Sequence, residues 1–197
     1  MKNALASFAA MLFFGILVFA QPPARKNEFA VWGGYSPDST RRFGVTPDTR
    51  FGVVAFRYAR RFNNTKVVNL KYTIDLVPVA FLNFPDPFPF THPRRSARGF
   101  GVTPLGLQTN FRPQKKYQPF FGASGGFLYF DKSIPNSLGT RFNFTIDVGG
   151  GLEIKLDEKR ALTIGYKYYH ISNGYRGVIN PGFDNNVIYT GLTFFRK

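Results

Sequence analysis

The sequence predicts an all-β protein, an eight-stranded antiparallel transmembrane β-barrel. Three observations lead to this prediction. The chain begins with an apolar export segment, its remainder divides into eight stretches with strand character, and it has no cysteine with which to form disulfides. A length of 197 residues suits a single domain of this kind.

The first 20 residues have the pattern of a signal peptide. After Lys2, the segment Ala4–Phe19 carries no charge, and Val18-Phe19-Ala20 matches the small-residue pattern of a cleavage site. The alternative is an N-terminal membrane anchor, but an apolar run of about 16 residues falls short of the roughly 20 that a spanning helix needs. We therefore expect a signal peptide at 1–20 and a single barrel domain at 21–197.

Strand-like segments follow one another from residue 29 to the end of the chain. Apolar and polar residues alternate most clearly in the sixth, where Phe144, Ile146 and Val148 have one parity and Asn143, Thr145 and Asp147 the other. The third shows the same pattern, with Leu82 on the apolar parity and Pro78 at a position where it donates no ladder hydrogen bond. The predicted strands are Phe29–Ser36, Phe51–Arg61, Val67–Leu82, Phe100–Asn110, Pro119–Phe130, Arg141–Leu156, Ala161–Ser172 and Asn185–Phe195.

The connections between these strands alternate in length, as they do in bacterial outer-membrane barrels, which have short turns on one side and longer loops on the other. The long connections are Pro37–Arg50, Asn83–Gly99, Asp131–Thr140 and Asn173–Asp184. The short ones are Phe62–Lys66, Phe111–Gln118 and Asp157–Arg160.

Alternation alone does not say which face of the barrel is wet, because a soluble barrel buries its apolar face and a membrane barrel turns it outward. Export without disulfides, long strands and aromatic residues near strand ends favour the membrane barrel. We therefore expect the protein in the outer membrane of a Gram-negative bacterium. The lysine and arginine that follow Phe195 depart from the aromatic ending common in such barrels.

The chain is strongly basic, with 26 Lys and Arg against 11 Asp and Glu and a net charge of +15. Such a charge favours an anionic partner, either nucleic acid or a phosphate-bearing membrane surface. An exported barrel without a nucleic-acid recognition motif favours the membrane. Seven arginines fall in long connections, where they would meet lipid phosphates, or would simply be solvated: Arg41, Arg42, Arg50, Arg94, Arg95, Arg98 and Arg176.

Metal and cofactor chemistry find little support in the sequence. The two histidines, His92 and His170, lie far apart in the chain and no cysteine accompanies them, so no standard metal-ligand spacing occurs. His92 reads as a loop residue among prolines. The glycine runs Gly122–Gly126 and Gly149–Gly151 fall inside predicted strands and indicate bends or close packing, not nucleotide-binding loops. We expect no metal and no cofactor.

The residues best suited to chemistry lie at the end of the seventh strand. His170 and Ser172 are two positions apart and therefore share a face of the strand, the apolar face that also carries Tyr166 and Tyr168. On a membrane barrel this places them at the rim, level with the headgroups and the first ester bonds of the outer leaflet. An imidazole beside a hydroxyl suits nucleophilic attack on an ester. A histidine and a serine this close are nevertheless common on strand surfaces without any catalytic role.

The segment His170-Ile171-Ser172-Asn173-Gly174, followed by Asn180-Pro181-Gly182-Phe183-Asp184, resembles the active-site region of the PagL-type lipid A 3-O-deacylases, also called acyloxyacyl hydrolases. That family has a His-x-Ser-Asn motif near the end of the penultimate strand and an acidic residue fourteen positions after the histidine. The segment Gln118–Gly126 is also similar to the family. The resemblance is best from about Pro119 to Phe195.

The resemblance implies an outer-membrane esterase that removes an ester-linked (3-O) acyl chain from lipid A, or lipopolysaccharide. It implies Ser172 as nucleophile, His170 as general base and Asp184 as the acid that orients the imidazole. The usual family acid is glutamate, so the shorter aspartate must be brought closer to the ring. Asn173 and the backbone N–H of Gly174 are the candidate oxyanion donors.

A non-enzymatic outer-membrane barrel is the alternative, serving as a structural protein, an adhesin or a narrow pore. Under that reading Asn173-Gly174 and Asn180-Pro181-Gly182 are turn residues of a loop. Asp184 is then an acid at the start of a strand. The sequence also leaves open whether the protein is a monomer or a homodimer.

Overall fold

The computed structural model describes residues 27–63, 65–85 and 94–196. These residues form eight strands: β1 (Asn27–Ser36), β2 (Arg50–Arg61), β3 (Val68–Pro85), β4 (Arg94–Phe111), β5 (Tyr117–Ile134), β6 (Thr140–Lys155), β7 (Arg160–Ser172) and β8 (Phe183–Arg196). The predicted signal peptide at 1–20 and His92 lie outside the described residues.

Each strand pairs antiparallel with the next, and β1 pairs antiparallel with β8, so the sheet closes into a barrel. Closure leaves no unpaired sheet edge. The predicted fold class is confirmed. Within the described ranges there is no helix long and apolar enough to cross a membrane.

The outside of the barrel is apolar, and part of its interior holds polar and charged side chains. In β3 the side chains of Asn69, Lys71 and Asp75 are buried, whereas Leu70 and Leu76 between them are exposed. A soluble barrel has the reverse arrangement, because water would make an apolar exterior costly. An exterior of this kind requires lipid around it.

The alternation in β3 does not continue to its end, and the expected position of Leu82 on the outer face is wrong. Leu82 is fully buried inside the barrel, while Val79 and Phe81 are exposed. The register of β3 shifts against both neighbours near Pro78, between Val77 and Ala80 on the β4 side. Since a bulge of one residue moves every following side chain to the other face, the same parity points outward before Pro78 and inward after it.

Several strands extend further towards the long-loop end than predicted. β4 begins at Arg94 instead of Phe100, β5 continues to Ile134 instead of Phe130, and β8 begins at Phe183. The connection between β5 and β6 is therefore only 135–139, no longer than the short β4–β5 turn at 112–116. The predicted alternation of loop lengths fails at this hairpin, because strand pairing continues above the barrel.

Side chains fill the barrel interior. At the short-turn end, Lys71 Nζ forms ion pairs with Glu28 (2.8 Å) and Glu153 (3.0 Å), and Glu28 also binds Arg61. At the opposite end, an apolar cluster replaces the charges, with members Phe51, Leu82, Phe84, Leu128, Phe130, Ile134, Ile171 and Phe183. This apolar cluster lies beneath the rim that carries Ser172.

Candidate active site

His170 and Asp184 form the centre of the candidate site. The two residues are directly opposite each other in the β7–β8 ladder. This pairing explains the fourteen-residue spacing, since the chain leaves β7, makes the loop 173–182 and returns in β8 beside the histidine. The imidazole Nδ1 lies 2.6 Å from Asp184 Oδ1, so the shorter aspartate reaches the ring directly. Asp184, expected in the loop, is therefore a strand residue.

Asp184 is fully buried although its side chain is on the outer face of the barrel. The loop that joins β1 to β2, residues 37–49, folds over it. The backbone N–H groups of Arg42, Phe43 and Gly44 donate to Asp184 Oδ2 at 2.7, 2.9 and 3.0 Å. The sequence predicted a long connection here but not its contact with Asp184, because no pattern marks a contact between residues some 140 positions apart.

Ser172 is partly buried at the last position of β7, on the same outward face as His170. Its Oγ is 3.0 Å from Asn180 Nδ2 and 3.1 Å from Asn180 Oδ1, and it accepts the Gly174 N–H at 3.2 Å. The structure thus brings Ser172 and His170 to adjacent positions on one face, and the serine hydroxyl bonds to the loop residues Asn180 and Gly174.

Asn180 is a further candidate for a functional role. From the sequence it was given no role beyond that of a turn residue. Its Oδ1 accepts the backbone N–H of Asn173 at 3.0 Å. Because a backbone N–H can only donate, this bond fixes the amide orientation and leaves Nδ2 to donate to Ser172 Oγ. The only indication of this role in the sequence was that Asn180 lies in the segment that resembles the family's active-site region.

The expected oxyanion residues have different surroundings. The Asn173 side chain is buried, and its Nδ2 donates to the Ile179 carbonyl at 2.8 Å. Gly174 is exposed, with a positive φ of 62°, and presents its N–H to Ser172. Asn173 thus shapes the loop, while Gly174 lies beside the hydroxyl.

The loop 173–182 is held against the β5–β6 hairpin. The N–H groups of Val178 and Ile179 donate to the Leu138 carbonyl at 2.8 and 3.2 Å. A Cβ on Gly177 would lie 2.9 Å from the same carbonyl oxygen, so only glycine allows this approach. These contacts fix the segment that carries Asn180 next to Ser172.

Apolar side chains surround the polar centre. Phe43 is 78% exposed, and its ring edge meets the His170 ring at a centroid distance of 6.0 Å. Phe144, Tyr175 and Val178 are exposed near Ser172, because Phe144 pairs with Ser172 and the other two belong to its loop. Both loops that flank the site therefore carry exposed apolar side chains.

All seven arginines predicted to meet phosphates lie at the same end of the barrel as Ser172. Arg42 and Arg176 are exposed and belong to the two loops that flank the site. Arg176 stacks over the Phe142 ring at 5.3 Å, and Arg94 donates to Asn83 and to the Asp48 carbonyl. The described residues include no group of three or more His, Cys, Asp or Glu side chains that could hold a metal ion.

Known proteins with a similar fold include outer-membrane barrels. The crystal structure of the outer membrane enzyme PagL is 15% identical, covers 84% of this chain and 97% of its own, and gives a TM-score of 0.58. The crystal structure of Neisserial surface protein A is 8% identical, covers 85% of this chain and 96% of its own, and gives a TM-score of 0.51. No curated protein matches the sequence.

A barrel with an apolar exterior and with a hydroxyl, an imidazole and a carboxylate gathered at one rim has the features of an outer-membrane enzyme. The family model of the lipid A 3-O-deacylases (PagL) matches residues 91–193, slightly more than half of the chain. The chain belongs to this family. It is a lipid A deacylase, an ester hydrolase of the Gram-negative outer membrane whose substrate is lipid A.

Proposed function

We propose that the protein hydrolyses its ester by a serine mechanism, with Ser172 as nucleophile, His170 as general base and Asp184 as the orienting acid. The observation that carries this proposal is the 2.6 Å contact between His170 Nδ1 and a fully buried Asp184. A carboxylate can only accept, so Nδ1 carries the hydrogen and Nε2 is the basic nitrogen. That tautomer is the one a nucleophilic serine needs.

Three hydrogen bonds hold the Ser172 hydroxyl against the loop 173–182. Asn180 Nδ2 and the Gly174 N–H both point at Oγ, at 3.0 and 3.2 Å. The hydroxyl hydrogen itself donates to Asn180 Oδ1 at 3.1 Å, so it must turn towards His170 before Oγ can attack. His170 Nε2 is the base on the same face of β7 that can accept it.

Asn180 and Gly174 also supply the donors for the developing oxyanion. In the tetrahedral intermediate the negative oxygen is bonded to the carbon attached to Oγ, close to the donors that already surround Oγ. The Asn173 amide donates to the Ile179 carbonyl instead, so Asn180 takes the place that the sequence suggested for Asn173. Gly174 keeps its expected role.

The reaction then proceeds in two steps, acylation of the serine and hydrolysis of the acyl-enzyme. Ser172 Oγ attacks the ester carbonyl and its proton passes to His170, which delivers it to the departing alcohol oxygen of lipid A as the acyl–oxygen bond breaks. Water next attacks the acyl-enzyme, giving a proton to His170, and the same proton returns to Ser172 Oγ as the fatty acid leaves. Asp184 stabilises the imidazolium in both steps.

The position of the site explains how a membrane lipid reaches it. His170 and Ser172 face outward at the long-loop rim, where lipid A ester bonds lie next to the barrel surface. Phe43 on one side and Val178 on the other offer apolar contact to the chain being removed. Arg42 and Arg176 offer positive charge to the lipid phosphates above.

Ser172→Ala tests this function. Expressed in a Gram-negative host, the wild type should yield lipid A that has lost the mass of one hydroxy-acyl chain, and the variant should leave lipid A unchanged while still folding as a heat-modifiable barrel. Ser137→Ala, a change at an exposed serine of the neighbouring β5–β6 hairpin, should retain full activity. Loss of the acyl chain that persists in both Ser172→Ala and His170→Ala would refute the mechanism.

A further inference from the structure

We propose that residues 42–44 of the β1–β2 loop, here called the 42–44 clamp, position the catalytic acid and are required for turnover. This inference rests on the serine mechanism proposed above. Three consecutive backbone N–H groups converge on one oxygen of Asp184, at 2.7, 2.9 and 3.0 Å, from the opposite end of the sequence.

The clamp fixes the direction of the carboxylate. Its three donors occupy Oδ2, which leaves Oδ1 facing His170 Nδ1 at 2.6 Å. With both oxygens held, the side chain has no freedom to rotate. Without the clamp, an aspartate on the outer surface of a barrel would be free to rotate away from the imidazole.

The loop is built to reach this position. The Val45 N–H donates to the Pro181 carbonyl at 2.7 Å, which ties the loop to the segment just before β8. Gly44 packs on Gly182 so closely that a Cβ on Gly44 would lie 2.6 Å from the Gly182 carbonyl carbon. Gly182 itself has a positive φ of 66° and leaves space for the His170 ring. Glycine at both positions lets the two backbones meet.

Because the clamp consists of backbone groups, a matched pair of substitutions at one position isolates it. Phe43→Ala removes the ring beside His170 and keeps the N–H, whereas Phe43→Pro removes both the ring and the N–H. Loss of one hydrogen bond to a charged group predicts a fall in kcat of about tenfold or more for Phe43→Pro relative to Phe43→Ala, with KM similar in the two. Equal kcat values in the two folded variants would overturn the proposal.

A second pair of substitutions, one test and one control, displaces the loop by steric contact. In Gly44→Ala the methyl group meets the Gly182 and Phe183 backbone at 2.6–2.8 Å, so the loop must move away from Asp184. Gly52→Ala is the control, since its Cβ would meet only the Tyr35 ring at 3.9 Å. We expect kcat to fall about tenfold or more in Gly44→Ala and to stay at the wild-type value in Gly52→Ala. Wild-type kcat in Gly44→Ala would contradict the clamp.

A spectroscopic readout separates positioning from a general loss of structure. With ¹⁵N-labelled histidine, the chain gives signals from His92 and His170 alone, and His92→Gln assigns them. Nδ1 of His170 should be the protonated nitrogen in the wild type and in Phe43→Ala, and should become a mixture of tautomers in Phe43→Pro and Gly44→Ala. An unchanged His170 signal in both of the latter would overturn the proposal.

These results are distinct from a failure of the serine mechanism. If Ser172→Ala remains active, the mechanism fails and the clamp with it. If Ser172→Ala is inactive while Phe43→Pro and Gly44→Ala retain wild-type kcat, the mechanism stands and the clamp alone is refuted.

Discussion

At the scale of single residues, Asn180 links the loop geometry to the chemistry. Its Oδ1 accepts the Asn173 N–H at 3.0 Å, and its Nδ2 lies 3.0 Å from Ser172 Oγ, the proposed nucleophile. Under the proposed serine mechanism, this one side chain both fixes the loop and supplies a donor where negative charge develops.

We predict that Asn180→Ala lowers kcat by about 10²–10³-fold with little change in KM, as the removal of one oxyanion donor does elsewhere. The measurement is the steady-state release of fatty acid from lipid A in detergent micelles. Asn186→Ala is the control, because Asn186 accepts the Tyr166 hydroxyl on the outer face of β8, away from Ser172. A kcat within threefold of wild type for Asn180→Ala would remove Asn180 from the oxyanion site.

The residues of the site differ in how far sequence could predict them. His170, Ser172 and Asp184 were named from their spacing in a recognisable segment, and the structure brings His170 and Asp184 into contact. The 42–44 clamp could not be named, since its donors are backbone groups that every residue except proline carries. A sequence motif records side chains, whereas the contacts of the 42–44 clamp with Asp184 are made by backbone groups.

At the scale of elements, β3 shows where strand patterning stops being informative. Leu76 and Leu82 have the same parity, yet Leu76 is 57% exposed and Leu82 is fully buried. The cause is the register shift at Pro78, and the sequence reveals the proline but not whether one residue is extruded there. The alternating pattern therefore predicted that β3 exists and, up to Pro78, which of its side chains point outward.

This difference predicts unequal costs for the same substitution in one strand. Leu82→Ala removes side-chain volume from the packed apolar cluster and should reduce the free energy of unfolding by about 2–5 kcal/mol. Leu76→Ala faces lipid, whose chains close around the smaller residue and leave no cavity, so it should lose only the water-to-lipid transfer free energy, about 2 kcal/mol. Urea unfolding of the folded barrel from lipid vesicles measures both. Equal losses would contradict the bulge.

At the scale of the whole molecule, the fold is a closed membrane barrel that carries the candidate site on its outer face. The interior is filled by ion pairs at one end and by an apolar cluster at the other. This filling favours a surface enzyme over a narrow pore. Sequence could predict the number of strands and the outward face of β7, because both follow from local alternation. The extended β5–β6 hairpin could not be predicted, because it depends on pairing between strands.

The serine mechanism requires that Ser172 Oγ forms a covalent bond to the acyl chain. The most direct test is to treat the folded barrel in lipid with a long-chain alkyl phosphonate that mimics the tetrahedral intermediate, and then to map the adduct by peptide mass spectrometry. We expect a single phosphonyl group on Ser172, absent in His170→Ala and lost together with activity. An active enzyme that carries the adduct on another residue, or one that the reagent leaves unlabelled and active, would contradict the mechanism.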